Sequence, residues 1–467
     1  MSILLITVAT TFVGVILEQE MVLFVSLLLM LTHNTMYGLD AFQKRLLFTF
    51  FHATFFIFLV GRMCVVILFD YRLDERGIFG TNFIEEEVVV TMITMMIVSL
   101  AGLFLGALVS ERVFQPKLQA NVTKNTTLLI SITTVMIVSF ALRMVYWMES
   151  IIAARSLGYF AYFANFETSL PKPIELIGEM FPVAFFMYLA TMPTGKKLYI
   201  PIAMYLFEGA FAMLTGSRQA FMLNILIIVI YILFRRLIST KKIIGGLAVS
   251  LPAIIILLNV VEQMRNKYAT ETSSIFESVL EFFYAQGVST NVLGYTVSLS
   301  NEIPDKIYTV GPIIEFLMFN IIGPFTGTME ELKGQTVERA LEGYQYSHTI
   351  SYLIMPDLYE RGVGYGSSFI AEWYHDLGMF GVIIGSILVG VLMVAFTKMF
   401  SAKSVLTVTA ALLMMRMLLF IPRASSIAFI IDTFSPVNIL GVGLILSLYV
   451  VLKHFESQEY RIEGASK

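Results

Sequence analysis

The sequence predicts an all-α protein that crosses a membrane many times. Of its 467 residues, 57% are hydrophobic and 14% are charged, and the mean hydropathy is +0.80. Soluble domains carry about 25% charged residues, so this composition is too apolar for one. The chain also contains many apolar runs that approach the roughly 20 helical residues needed to cross a hydrocarbon layer about 30 Å thick. These observations predict a polytopic integral membrane protein.

Twelve apolar runs are predicted as membrane-spanning helices. The first two are the shortest, and the count falls to eleven if they form one long helix. The N-terminal run lacks a charged region and a cleavage site of the kind found in signal peptides, so we expect it to be a retained span. The predicted spans are 2–17, 20–34, 46–69, 88–109, 127–148, 173–193, 198–215, 219–237, 243–262, 377–397, 404–422 and 436–452.

The distribution of lysine and arginine predicts the orientation. These residues occupy every second connecting loop, from Lys44 and Arg45 near the start to Lys453 near the end, whereas loops such as 70–87 are acidic or neutral. Because positively charged loops stay in the cytoplasm, we expect both termini there. No basic run suggests a nucleic-acid partner, so we expect none. The single cysteine excludes a framework of disulfides.

The loop lengths predict three parts: an N-terminal bundle over 1–262, a large external segment over 263–376, and a C-terminal bundle with a cytoplasmic tail over 377–467. Structureless connections much longer than about 15 residues are uncommon unless they are functional. Within the external segment, 311–327 is apolar but contains two prolines and a glutamate, so we expect a re-entrant or interfacial segment.

Glycines in the predicted span 377–397 have the spacing of a helix-packing motif. Gly381 and Gly385 are four residues apart, and Gly378 and Gly390 flank them. Small residues at this spacing let a neighbouring helix approach closely. We therefore expect a neighbouring helix to pack closely on this span.

Arginines inside the apolar runs are candidate ligands of an anion. Ionisable residues within spans are costly and tend to mark function, and a guanidinium binds phosphate oxygens in pairs. We expect an outward-facing cavity that holds a diphosphate, with snorkelling of the arginines to the interface as the alternative. The candidates are Arg62, Arg143, Arg218, Arg416 and Arg423. Ser217, just before Arg218, could cap a helix or help bind the anion through its amide.

The polar stretch before the span at 377 carries the candidate catalytic groups. Glu372, His375 and Asp376 have the i, i+3, i+4 spacing of one helical face. A carboxylate there could act as general base, and so could His348, whose ordinary pKa is close to neutral. The alternative is that His375 and Asp376 solvate a helix end. No metal-ligand spacing such as HExxH or CxxC occurs, so we expect no metal site.

The stretch GYGSSFIAEWYHDLG (364–378), continuing to Gly381, together with TGSRQ (215–219), resembles the Wzy-type polymerases of bacterial polysaccharides. The shared pattern is Gly-x-Gly-Ser followed by Glu-x-Tyr-x-Asp-x-Gly-x-x-Gly. The resemblance implies a glycosyltransferase without a cofactor or nucleotide sugar. Enzymes of this type join oligosaccharide repeat units, carried on undecaprenyl diphosphate, at the outer face of the bacterial inner (cytoplasmic) membrane.

The resemblance also implies residue roles and partners. Glu372, His348 and Asp376 would be catalytic and the arginines would hold the diphosphate. We assign glycan binding to Ser217, Gly364, Gly366, Tyr374 and His375. The lipid-linked oligosaccharide and membrane lipid are the expected partners, with a flippase and a chain-length regulator as protein partners.

Three other functions fit the same features. An O-antigen ligase also uses an external histidine with arginines, although the residues after His348 do not reproduce its histidine motif. A lipid-linked oligosaccharide flippase needs a similar number of spans, but it has little need of a large external segment and usually has repeated halves. A purely structural assembly partner leaves the arginines unexplained.

Overall fold

The computed structural model describes residues 2–73, 84–113, 125–158, 162, 166–216, 218–237, 245–246, 274–327, 332 and 334–465. All regular secondary structure in these ranges is helical, which confirms the all-α prediction. The predicted span 243–262 lies outside the described residues except for 245–246.

The chain divides into two compact units. Unit 1 comprises Met1–Pro116, Ile232–Lys398 and Met417–Ile431. Its long helices are α1 (Ser2–Ile16), α2 (Glu20–Asp40), α3 (Leu46–Phe69, with a π-helical turn at Phe56–Val60) and α4 (Glu86–Val113). The segment predicted to be external contributes short helices: α10 (Ile275–Gln286), α11 (Ser289–Ser298), α12 (Gly311–Glu315), a π-helix (Phe316–Ile322), α13 (Gly323–Thr326), α14 (Val337–Glu342), α15 (Tyr346–Ile354) and α16 (Pro356–Tyr359). The unit is completed by α17 (Phe369–Met399) and a 3₁₀ turn (Ile421–Arg423).

Unit 2 comprises Lys117–Tyr231, Met399–Arg416 and Asp432–Lys467. Its helices, wholly or for the greater part, are α5 (Thr126–Leu157), α6 (Lys172–Glu179), α7 (Phe181–Ala190), α8 (Lys196–Met213), α9 (Arg218–Phe234), α18 (Val405–Leu418) and α20 (Pro436–Ala465). A boundary between the two units falls within the short helix α19 (Ala428–Thr433).

Eight helices in the described ranges are long and apolar enough to cross a membrane. They are Glu20–Asp40, Leu46–Phe69, Glu87–Val113, Thr126–Leu157, Lys172–Ala190, Phe369–Met399, Val405–Arg423 and Ala428–Gln458. The chain is therefore a multi-pass membrane protein. The count of twelve, the three-part division, the external segment and the cytoplasmic termini stay predictions.

The first two apolar runs form two helices rather than one. Glu18, between them, adopts a positive φ of 50°. The helices fold back on each other, and the Ser26 hydroxyl on α2 donates to the Thr10 hydroxyl on α1 at 2.7 Å. The alternative of a single fused helix is therefore wrong.

Helices α4 and α17 pack at very short range because small residues line both. A Cβ at Gly106 would collide with the carbonyl oxygen of Ile387, and one at Gly390 would collide with that of Leu103. On the same two helices, the Ser386 hydroxyl donates to the Ser99 hydroxyl at 2.8 Å. Close packing of small residues is a main source of helix association in a bilayer.

Helix α17 begins at Phe369, eight residues before the predicted span, and bends at Gly378. Gly378 has φ 62° and ψ −154°, a backbone conformation that residues other than glycine rarely adopt. The bend brings Trp373 back onto the second half of the same helix. A Cβ at Gly381 would meet the Trp373 carbonyl oxygen, and one at Gly385 would lie 2.5 Å from the indole.

The predicted close approach of a neighbouring helix is therefore confirmed at Gly390, which meets α4, but Gly381 and Gly385 have a different neighbour. The neighbour that approaches them is the first segment of α17 itself. The spacing of small residues shows that another segment can approach closely, but it does not say which one. The segment could not be predicted here, because hydropathy gives no sign of the bend at Gly378.

We expect Gly106→Ala to destabilise the protein, because the added methyl group must displace backbone of α17. Overpacking of this kind costs about 1–3 kcal/mol. Gly443→Ala on α20 is the matched control, since no atom lies within 4 Å of a Cβ there. The thermal unfolding midpoint of the control should rise slightly, because alanine is more favourable in a helix than glycine by about 1 kcal/mol. Thermal unfolding in detergent compares the two, and equal midpoints would contradict the close packing.

Candidate functional site

Glu372 lies in the first turn of α17 and is completely buried. Its Oε1 accepts a hydrogen bond from the Ser367 hydroxyl at 2.7 Å. Its Oε2 accepts from the Ser426 amide at 2.8 Å and from the Ser425 hydroxyl at 3.2 Å. A buried carboxylate is tolerated only when it is well hydrogen-bonded. These bonds fasten the start of α17 to the segment that follows the 3₁₀ turn.

The glycine-rich stretch before α17 lies between α15 and the 3₁₀ turn. Gly366 has φ +85°, and a Cβ there would lie 3.6 Å from the carbonyl oxygen of Arg423. The Tyr365 amide donates to the Ser351 hydroxyl on α15 at 3.0 Å. Gly364 is exposed, with Ser351 Oγ 3.3 Å from where its Cβ would be. Glycine at 366 is required by the left-handed backbone.

Asp376 lies one turn after Glu372 but binds a different part of unit 1. Its carboxylate accepts hydrogen bonds from the backbone amides of Tyr308, at 3.0 Å, and Thr309, at 2.8 Å. His375 Nδ1 lies 3.1 Å from Asp376 Oδ1, and the His375 ring packs edge-on against Tyr308. Asp376 thus anchors the backbone that leads into α12. Among the described residues, none of its hydrogen-bond donors is also a donor to Glu372.

His348 lies on α15 and is half-buried. Its Nδ1 lies 2.9 Å from the hydroxyl oxygen of Tyr359 on α16, while its Nε2 has no hydrogen-bond partner among the described residues. Burial, followed by the positive charge of Arg339, lowers the pKa of His348 to about 4. Burial raises the pKa of Tyr359 to about 12. At neutral pH the pair is therefore an uncharged imidazole next to a protonated phenol.

A buried glutamate that the sequence did not single out supports this pair. Glu315, at the end of α12, accepts from the Tyr344 amide at 2.9 Å and from the Gln345 side chain at 2.6 Å. Arg339 on α14 lies 3.5 Å from Glu315 Oε1. The cluster joins the predicted re-entrant segment to the N-terminal side of α15, and thereby helps hold His348 in place.

Arg62 and Arg423 both donate to the C-terminal end of α10. Arg62 is fully buried, donates to the carbonyls of Tyr284 and Leu73 at 2.8 Å, and lies over the Tyr284 ring. Arg423 donates to the carbonyl of Gln286 at 2.9 Å. The last carbonyls of a helix lack partners within it and carry partial negative charge. Both arginines therefore stabilise a helix end.

Arg143, in unit 2, is paired with a buried carboxylate. Its Nε lies 3.3 Å from Glu208 Oε1, and the Trp147 indole donates to the same oxygen at 3.0 Å. Glu208 is 6% exposed and sits on α8. The positive charge of Arg143 is thus compensated within the protein.

Arg416, also in unit 2, is held differently. It is half-buried near the end of α18, and its Nε is a buried donor without a hydrogen-bond partner in the described part of the chain. Asp432, Glu208 and Tyr205 interact with it electrostatically. Glu208 and Asp432 were missed by the sequence analysis, although both interrupt apolar runs just as the arginines do.

The remaining predicted site residues are described only by their burial or their position in the chain. Tyr374 is half-buried on α17. Arg218 begins α9, but its side chain lies outside the described residues, as does Ser217. Among the described residues, no group of three or more His, Cys, Asp or Glu side chains could hold a metal ion.

The fold and these sites define a class: a multi-pass, all-helical membrane protein whose polar side chains are fastened at helix ends and inside apolar bundles. The family model of the O-antigen polysaccharide polymerase Wzy matches residues 1–455, and the chain belongs to that family. The resemblance found in the sequence is thereby confirmed. Neither a curated protein nor a solved structure matches the chain. Membership makes it a polymerase of the glycosyltransferase type with a lipid-linked oligosaccharide substrate.

We expect Glu372→Ala to lower the thermal unfolding midpoint markedly, because it leaves buried donors at Ser367 and Ser426 unsatisfied. Each such group costs about 1–3 kcal/mol. Glu372→Gln should be milder, since the amide oxygen still accepts. Glu360→Ala, at an exposed position, is the control and should not change the midpoint. Equal midpoints for Glu372→Ala and the control would show that the carboxylate does not fasten α17.

Proposed function

We propose that this protein polymerises oligosaccharide repeat units carried on undecaprenyl diphosphate, at the outer face of the bacterial cytoplasmic membrane. The observation that carries the proposal is the family match over residues 1–455. The polar stretch of short helices between long apolar helices supports it, because the reaction needs a polar site next to a bilayer. A flippase that delivers the substrate and a chain-length regulator are the protein partners we propose.

The reaction transfers the growing glycan to the next repeat unit. The bond between the first sugar and the diphosphate breaks, and a glycosidic bond forms to a hydroxyl of the incoming unit. That hydroxyl loses its proton, and undecaprenyl diphosphate leaves with the bonding electrons. The activated donor supplies the driving force, so the proposed reaction uses neither a nucleotide nor a cofactor.

His348 is our candidate for the base that takes the proton. A base must be unprotonated at working pH and within reach of the hydroxyl. We assign the proton of the neutral imidazole to Nδ1, where it donates to the Tyr359 oxygen, so that Nε2 keeps its lone pair. Glu372 and Asp376 have their oxygens occupied by protein donors. We therefore propose them as positioning residues that hold the acceptor site in shape, with Gly364, Gly366, Tyr374 and His375 along it.

Arg416 is our candidate for the principal contact with the diphosphate. Arg62 and Arg423 donate to backbone carbonyls, and Arg143 is paired with Glu208. Arg416 retains a buried donor that no described protein group accepts. A charged acceptor such as phosphate would satisfy it with a strong hydrogen bond. Arg218 and Ser217 complete the proposed site.

Reconstitution in proteoliposomes with lipid-linked repeat units tests the base. We expect the parent to lengthen the glycan and His348→Ala to slow it by about 10²–10⁴-fold, the usual contribution of general base catalysis. His454→Ala, at an exposed histidine on α20, is the matched control and should polymerise at the parent rate. Product length is read by gel electrophoresis, and thermal unfolding verifies that each variant is folded. A His348→Ala enzyme at the parent rate would exclude His348 as the base.

The same preparation separates the other functions. If the parent moves the lipid-linked unit between leaflets without lengthening the glycan, it is a flippase. If it transfers finished glycan to a different acceptor and never joins two units, it is a ligase. Either result would overturn the proposed polymerase.

The pH dependence of polymerisation should reflect the low pKa of His348. A histidine with its ordinary pKa of 6.5 would lose its basic form below neutral pH, whereas His348 should keep it until the pH approaches about 4. Arg339→Gln removes a charge that lowers this pKa, so its acid limb should move to higher pH. Initial rates between pH 4 and pH 8 check both statements. A parent rate that halves near pH 6.5 would contradict the low pKa of His348. An acid limb of the pH–rate profile that stays in place in Arg339→Gln would contradict the effect of Arg339 on that pKa.

A further inference from the structure

An apolar groove runs along unit 2 between α18 and the α19–α20 region. Its volume is about 300 Å³. Thr409 and Leu413 form a buried floor, at 2% and 4% exposure. Its rim is exposed and apolar, with Leu406 at 44%, Phe434 at 55% and Ile439 at 58%. We call this feature the α18–α20 groove.

Two of the polar side chains that line the groove donate to backbone carbonyls of the protein. The Thr409 hydroxyl donates to the carbonyl of Val405 at 2.8 Å. The Asn438 side chain donates to the carbonyl of Asp432 at 2.7 Å. The groove is therefore lined mainly by apolar side chains. Because both flanking segments are long and apolar enough to cross a membrane, an occupant of hydrocarbon is favoured over water.

A cation lies where the apolar stripe of α18 ends. Leu406, Thr409 and Leu413 are three and four residues apart, which places them on one helical face. Arg416 follows at the next i+3 position, and its Nε has no hydrogen-bond partner in the described residues. A hydrocarbon groove that leads to a guanidinium is complementary to an apolar chain attached to a phosphate.

We propose that the α18–α20 groove binds the polyprenyl chain of the lipid-linked substrate close to its diphosphate, which Arg416 holds. The inference rests on the proposed function, since it places the lipid part of that substrate. The groove volume is at the lower end of the range for ligand pockets, which suits a segment of one hydrocarbon chain better than the paired chains of a phospholipid. The remainder of the polyprenyl chain extends into the bilayer.

Binding is measured by native mass spectrometry of the full-length protein with undecaprenyl diphosphate as the probe. Ala410→Trp fills the groove floor, and we expect it to lower the affinity by at least about tenfold, or about 1.4 kcal/mol. Leu406→Trp, at the exposed rim, is a second groove variant less prone to misfold. Val450→Trp is the matched control, because Val450 is 63% exposed on α20 outside the groove, and it should bind like the parent.

Arg416→Gln separates the two parts of the site. It should weaken the binding of undecaprenyl diphosphate by about tenfold or more while leaving the binding of undecaprenol, which has no phosphate, unchanged. Phosphatidylglycerol in excess should not displace the probe. Full displacement by phosphatidylglycerol would mean a groove for ordinary lipid and would overturn the proposal, as would folded groove variants that bind like the parent.

Polymerisation assays with the same variants keep the two proposals apart. If Ala410→Trp and Leu406→Trp polymerise at the parent rate, the groove proposal fails while the polymerase stands. If the parent binds the probe through the groove but never lengthens a glycan, the groove proposal stands and the proposed function fails.

Discussion

The need to compensate ionisable groups in apolar surroundings governs the polar architecture of this protein. Glu372 is the clearest case: a carboxylate with no exposed surface exists there because a hydroxyl and an amide, with a second hydroxyl, satisfy its oxygens. Burial makes each of these bonds more consequential than it would be in water, since the alternative is an unsolvated charge. The start of α17, the glycine-rich stretch and the 3₁₀ turn are held together by that one requirement.

The same requirement distinguishes the arginines from one another. Arg62 and Arg423 are compensated by carbonyls at the end of α10, and Arg143 is compensated by Glu208. A guanidinium that already pairs with protein groups gains less from a ligand, because the ligand must compete with those groups. Arg416 differs, since one of its donors is buried and has no acceptor among the described residues. An unmatched buried donor is costly to keep, and a protein that binds an anionic lipid has a physical reason to keep one.

His348, the candidate base, differs from the buried carboxylates because it needs no compensating charge. His348 is outside the long apolar helices, and burial together with Arg339 keeps it uncharged at neutral pH. Its Tyr359 partner remains protonated because burial raises the pKa of that phenol to about 12. A neutral base next to a neutral partner requires no compensating charge, so it can lie near a carbohydrate hydroxyl without an ion pair to break.

Hydropathy and two short motifs were enough to predict from the sequence an all-α, multi-pass protein of the Wzy family, because each apolar run and each motif consists of residues close together in the chain. The sequence also singled out Glu372, Asp376 and His348, but it could not assign their partners. Ser426 is 54 residues from Glu372, and Tyr308 is 68 residues from Asp376.

Which candidate arginine has a buried donor without an acceptor among the described residues, and what packs on Gly381 and Gly385, was decided only by the tertiary structure. The physical reason is that compensation and close packing are properties of pairs of groups. A single sequence gives the members of each pair without their distance, and a bend such as the one at Gly378 reassigns neighbours without leaving a trace in hydropathy.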